Sequence, residues 1–218
     1  MKYLLLVAAA CATVISHAEA PIQKNFNGIR NVVLTSLQGN TQLIASKANQ
    51  VDVNISKDDF SDRCELDVRQ TGDTLTVEVT KGWLFTTGVQ CSANMVLSIP
   101  AGVHVKAYQA TGQIEAIGLA DALNIKTPAA RVVLTNVSSK EASIEASSGN
   151  VLLNFTDSAP GRFHIDTISG SAKYQSATPT KLTFSSLSGS LRADSKPISE
   201  SAASEIQFSS ISGSFSWN

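Results

Sequence analysis

Apolar and polar residues alternate along most of this chain. Val32–Leu37, Val51-Asp52-Val53-Asn54-Ile55, Leu75–Val79, Val96–Ile99 and Val103-His104-Val105 all show it. A period of two over about four to eight residues predicts strands with one face toward a core. Pro100-Ala101-Gly102 separates two such strands. Helical spacing is scarce, and Gly118–Leu123 and Pro197–Ala203 have room for one turn at most. The pattern predicts an all-β chain.

The second half repeats itself. Phe163-His164-Ile165-Asp166-Thr167-Ile168-Ser169-Gly170-Ser171 is followed by Leu182-Thr183-Phe184-Ser185-Ser186-Leu187-Ser188-Gly189-Ser190 and Ile206-Gln207-Phe208-Ser209-Ser210-Ile211-Ser212-Gly213-Ser214. Each unit reads apolar, polar, apolar, two further residues, apolar, Ser-Gly-Ser. Weaker copies lie at Ser143–Asn150, with Gly149, and at Val105–Gln113, with Gly112. Leu123-Asn124-Ile125 begins a further copy whose glycine is lost. The glycines step by 21, 19 and 24 residues from Gly149 to Gly170, Gly189 and Gly213.

A period near 20 residues belongs to solenoids. One such unit cannot bury its own apolar face, whereas stacked units bury it in a continuous core. The apolar positions of each unit are expected in that core. Gly149, Gly170, Gly189 and Gly213 are the expected structural turns, taking a positive φ or letting backbone pass closely. Their serines are expected to bond local backbone. The fold expectation is a single-domain β-solenoid, right-handed β-helix-like; a β-sandwich or barrel is the alternative. Three stretches follow: a signal peptide at 1–18, an N-terminal β region at 19–100 with a disulfide hairpin, and a continuous Ser-Gly repeat region at 101–218.

The N-terminus adds a compartment. Lys2 precedes an apolar run to about Ile15. That run is too short to span a bilayer but suits a secretory signal. Ser16 and Ala18 fit cleavage after Ala18; cleavage after Ala20 would leave Pro21 at the cut. Cys11 behind Ala8-Ala9-Ala10 offers a weaker lipoprotein reading. No later stretch reaches transmembrane length. Removing the signal takes away Lys2 alone among charged residues, leaving 16 basic and 18 acidic residues of the original 17 and 18. Without a basic stripe, nucleic acid and anionic membranes are poor partners. Cys64 and Cys91 remain, and in an oxidising compartment a disulfide is the expected state. It would enclose the hairpin whose turn is Thr71-Gly72-Asp73.

Phe26-Asn27-Gly28-Ile29 and the Ser-Gly-Ser units at 169–171, 188–190 and 212–214 resemble the bacterial adhesin-like families, including auto-transporter adhesin head domains. The resemblance runs from about Phe26 to Trp217. It implies a β-helix-like fold and a role at the cell envelope, and transfers no site residues. Cys64 and Cys91 stand outside its pattern.

Candidate chemistry is thin. His104 and His164 occupy polar positions of alternating strands. Ser169, Ser188 and Ser212 have no evident histidine partner, as a nucleophile requires. The acids Asp52, Asp58, Asp59, Asp62 and Asp67 are the candidates for a glycosidase pair, and Lys57–Asp62 reads as a solvated loop with calcium as a minor alternative. Trp83 and Phe85 are expected to be buried beneath the disulfide, or else to form an exposed contact. No cofactor or metal is expected. The expectation is a non-catalytic, exported envelope protein, periplasmic or on a bacterial surface, with a carbohydrate or protein partner. Two alternatives remain: a β-helical carbohydrate-active enzyme, which needs acids converging in a groove, and a periplasmic module binding by strand addition, which an uncapped strand around Ile206–Trp217 would favour.

Overall fold

The computed structural model describes residues 20–82, 88–156, 161–176, 178–193 and 199–217. The expected signal segment with Cys11, and Trp83 and Phe85, lie outside them. The described residues contain no helix, and Gly118–Leu123 and Ser199–Ala203 form loops apart from Leu123 itself.

Nineteen strands form among the described residues. They are β1 (Ile22–Asn27), β2 (Asn31–Ser36), β3 (Asn40–Ser46), β4 (Gln50–Phe60), β5 (Cys64–Thr71), β6 (Thr74–Lys81), β7 (Cys91–Pro100), β8 (His104–Gln109), β9 (Gln113–Ile117) and β10 (Leu123–Thr127). There follow β11 (Arg131–Thr135), β12 (Ala142–Ala146), β13 (Val151–Phe155), β14 (Arg162–Thr167), β15 (Ala172–Ser176), β16 (Lys181–Ser186), β17 (Leu191–Ala193), β18 (Glu205–Ser210) and β19 (Phe215–Trp217). Sheet I has ten strands in the order β1-β4-β7-β3-β9-β11-β13-β15-β19-β17, and sheet II has nine, β5-β6-β2-β8-β10-β12-β14-β18-β16. Among the described residues both sheets end in open edges, and neither closes into a barrel. Each rung gives one strand to each sheet, and the rungs stack in parallel; β1, β4 and β5 add antiparallel pairings at one end.

Alternation explains the layers. Inward residues align from rung to rung, as in Leu34, Ala107, Ile125, Ile144, Ile165, Phe208 and Phe184 on sheet II. They meet sheet I across one shared core. That core is aliphatic near the N-terminal rungs and aromatic near the last ones. There Phe155 lies 5.3 Å from Phe163, and Tyr174 lies 4.8 Å from Trp217, ring centre to ring centre.

Most corners between the two strands of a rung share a plan, from which Ala146 of β12 departs. In β2, β8, β10, β14, β16 and β18 the last residue of the sheet II strand is polar, turns inward and binds the turn. Thr127 Oγ1 accepts the Ala130 N–H at 2.6 Å, and Ser186 Oγ accepts the Gly189 N–H at 2.7 Å. Gln109 does the same work in reverse, donating to the carbonyls of Gly39 at 2.7 Å and Thr111 at 2.9 Å. These are polar groups in a buried place, and their bonds remove the cost of burying them. Ala130 stands where the lost glycine of the 123–130 unit was expected, beneath Gly149.

Two expectations need correction. Ile168, Leu187 and Ile211 do not enter the core; they are 53%, 86% and 53% exposed. The corner residue before each of them already points inward, so the next side chain must point out. The strands around Ile206–Trp217 are not terminal either. β18 pairs with both β14 and β16, and β19 with both β15 and β17. The final segment fills a slot that the chain first skipped. At the other end β2 and β3 are likewise interior, between β6 and β8 and between β7 and β9.

Candidate functional site

The outer face of sheet II carries a concave surface built from side chains in register on neighbouring strands. Tyr108, Lys126, Glu145 and Asp166 stand side by side on consecutive strands. A neighbouring column runs Lys106, Asn124, Ser143, His164 and Gln207. Period-two alternation puts them there, because their chain neighbours are core residues. Three shallow hollows result. The first, about 420 Å³, lies among Tyr108, Lys126, Glu145, Asp166 and Ile168. The second, about 450 Å³, is lined by His104, Lys106, Asn124, Glu141 and Ser143 among others. The third, about 410 Å³, lies among Lys140, Glu141, Arg162, His164, Glu205 and Gln207.

Three pairs of ionisable side chains meet on this face among the described residues. Lys126 Nζ is 2.8 Å from Glu145, and Lys181 Nζ is 3.3 Å from Glu205. His164 Nε2 lies 2.9 Å from Asp166, an ion pair once the imidazole is protonated. The Gln207 amide, and then the Lys181 ammonium, hold the Glu205 carboxyl below its ordinary range. Such exposed pairs contribute little stability but define a pattern of donors and acceptors. Away from this face, burial pushes the Tyr174 hydroxyl up, against opposing bonds from Ser176 and Thr180.

The residues singled out from sequence fall into place as follows. Cys64 and Cys91 form a disulfide with Cα atoms 5.6 Å apart, linking edge strand β5 of sheet II to β7 of sheet I. Gly149, Gly170, Gly189 and Gly213 sit at the corners with ordinary φ; close approach, not left-handed backbone, requires them. The turn serines donate across rungs: Ser188 Oγ to the Ile211 carbonyl at 3.2 Å and Ser212 Oγ to the Ile168 carbonyl at 3.3 Å. His104 and His164 are both exposed on the outer face of sheet II.

Lys57–Phe60 is not a loop but the end of β4, bulged between Asp58 and Phe60 with Asp59 at φ 51°. A polar hollow of about 500 Å³ lies beside it, among Asp59, Asp62, Arg63 and Gln90. Asp52 and Asp67 lie on different sheets. Among the described residues no three His, Cys, Asp or Glu side chains converge as metal ligands. The acids that do come together, Glu145 and Asp166, were not singled out as a pair. Their signal was available: each stands directly after an inward apolar residue, Ile144 and Ile165, in successive units.

Fold and face together define a two-sheet β-solenoid with a broad polar surface and no deep cleft among the described residues. The chain belongs to the Toastrack DUF4097 family, whose sequence profile matches residues 29–214. No curated protein matches it. A provisionally assigned adhesin from Bacteroides fragilis NCTC 9343 is similar in structure, with TM-score 0.52 and 11% identity over 92% of this chain and 98% of that one. A provisionally assigned cell adhesion protein from Clostridium sporogenes ATCC 15579 has TM-score 0.45 and 12% identity over 91% and 99%. A provisionally assigned lipid binding protein from Parabacteroides distasonis ATCC 8503 has TM-score 0.41 and 11% identity over 92% and 97%. At these identities the first supports the fold alone, and the other two carry no argument.

Proposed function

We propose that this chain is an exported, non-catalytic protein of the bacterial cell envelope that binds a carbohydrate or protein partner on the outer face of sheet II. The observation that carries the reading is the run of shallow hollows from Tyr108 to Gln207, lined by both polar and apolar groups. Flat arrays of paired charges and amides around one aromatic ring suit a broad ligand laid across strands. The disulfide supports export, since such bonds persist in oxidising compartments. The adhesin name of the Bacteroides fragilis protein agrees with an envelope role.

Cell fractionation with surface-protease accessibility tests the location. Retention of wild type but not Cys11→Ser in membranes would mark a lipoprotein. Binding to glycan and envelope-protein arrays, compared with Tyr108→Ala and Lys126→Glu, tests the face; binding unaffected by both substitutions would refute it.

One observation favours a second reading, a carbohydrate-active enzyme. Glu145 and Asp166 are in register on adjacent strands and share a hollow. Glycoside hydrolysis uses two flanking carboxylates. Here Glu145 is engaged by the Lys126 ammonium and Asp166 by the His164 imidazole, and both side chains are about half exposed. Release of reducing ends from polysaccharide, abolished by Glu145→Gln, would establish the enzyme.

A further inference from the structure

The two ends of the stack are built differently. At the β5 end, antiparallel strands close the solenoid. The β5 edge carries Glu65, Asp67 and Arg69, the last two ion-paired, and is held by the disulfide. Charges along an edge discourage an incoming strand. At the other end the last rung is β16 with β17, and among the described residues no strand covers either one.

The core lies open at that end. Leu182 and Phe184 are half-buried and Leu191 is 43% exposed, whereas their counterparts one rung inward, Ile206, Phe208 and Phe215, are fully buried. Leu187 stands almost free beside them. The β16 edge has one charged residue, Lys181, and Glu205 neutralises it. The other charge of the rung, Arg192, is exposed on β17 in register with Ser216, so the core-facing side of the two-layer edge is apolar, and such an edge is what monomeric β-proteins avoid.

We infer that the β16/β17 rung is a self-association surface, joining two copies end to end. Both layers must be covered together, so a single added strand leaves one of them open. A second copy's last rung offers two strands with the same spacing. A two-fold axis normal to both sheets sets β16 against β16 and β17 against β17, antiparallel, and keeps inward faces inward. With Thr183 opposite Thr183 of the second copy, Leu182 faces Phe184 of that copy and the core becomes continuous. The surface is separate from the binding face of sheet II and does not depend on it.

Sedimentation of the mature chain tests this. Wild type is expected to dimerise with concentration. Thr183→Lys with Ser185→Lys, both exposed outward positions, sets like charges across the axis and is expected to weaken the dimer at least about tenfold, with far-UV circular dichroism unchanged. Glu65→Lys at the opposite end is expected to leave it intact. Thr183→Cys is expected to form a covalent dimer on oxidation, and Glu65→Cys is not. A wild type that stays monomeric at its highest soluble concentration, or a dimer indifferent to the double lysine variant, overturns the inference.

Discussion

Gly213 rides directly on the carbonyl oxygen of Gly170, so that a Cβ at position 213 would stand well inside 3.0 Å of that oxygen. The relation recurs along the corner. Gly189 lies on Gly213, Gly170 on Gly149, and Gly149 on Ala130. Backbone rather than side chain is the obstacle, so it cannot swing aside. Gly213→Ala is expected to destabilise by roughly 1–3 kcal/mol as the rungs are forced apart. Ser212→Ala removes one exposed hydroxyl bond and is expected to cost no more than about 1 kcal/mol. Urea unfolding of both variants reads the difference. Equal losses would mean that the serines, not the glycine, hold the corner.

The disulfide ties the two sheets at the end where antiparallel strands replace parallel rungs. The enclosed loop holds the β5–β6 hairpin and the residues leading to β7. Cross-linking a loop of that length lowers unfolded-state entropy by the equivalent of about 3–4 kcal/mol. Cys64→Ser with Cys91→Ser is expected to lose about that stability. Wild type in reductant should match the double variant, and the aromatic half should keep its near-ultraviolet signal longest on heating. A midpoint unmoved by reductant would count against the bridge.

Much of the architecture was legible because alternation and glycine spacing are local signals. The Cys64–Cys91 pairing, the β5–β6 hairpin and the corner at Gly170 could each be read from a few residues. The slot of each unit could not. Units at 182–190 and 206–214 have nearly the same sequence, so nothing local says which stacks on 163–171. Ile168, Leu187 and Ile211 were misplaced for a related reason: the inward corner residue is small and polar, so alternation appears to skip a beat there. The paired acids Glu145 and Asp166 became visible only when two units were laid side by side.

Glu205 gives the outer face a pH dependence. Its folded carboxyl is held below the ordinary range, first by Gln207 and then by Lys181. A depressed folded value favours the native state above the ordinary carboxylate range, and that advantage disappears as pH falls through the folded value. Wild type is therefore expected to lose stability on acidification relative to Glu205→Gln. The urea midpoints of the two proteins, followed from about pH 6 down to about pH 3, should converge. The exposed position keeps the effect small and sensitive to salt. A constant difference across that range would mean the pairing is not made in solution.

The order of the rungs in space differs from their order in sequence. Trp217 is fully buried and set edge-on against Tyr174. Leu191 comes earlier in sequence but belongs to the outermost rung. Trp217→Ala is accordingly expected to cost roughly 3–5 kcal/mol, in the range for a large buried side chain. Leu191→Ala, which removes a side chain already in part open to solvent, is expected to cost less than about half of that. Equilibrium unfolding of the two variants orders the rungs without any structural probe. If Leu191→Ala proves the more damaging, the final two units occupy each other's slots, and the exposed end of the stack is β18 with β19.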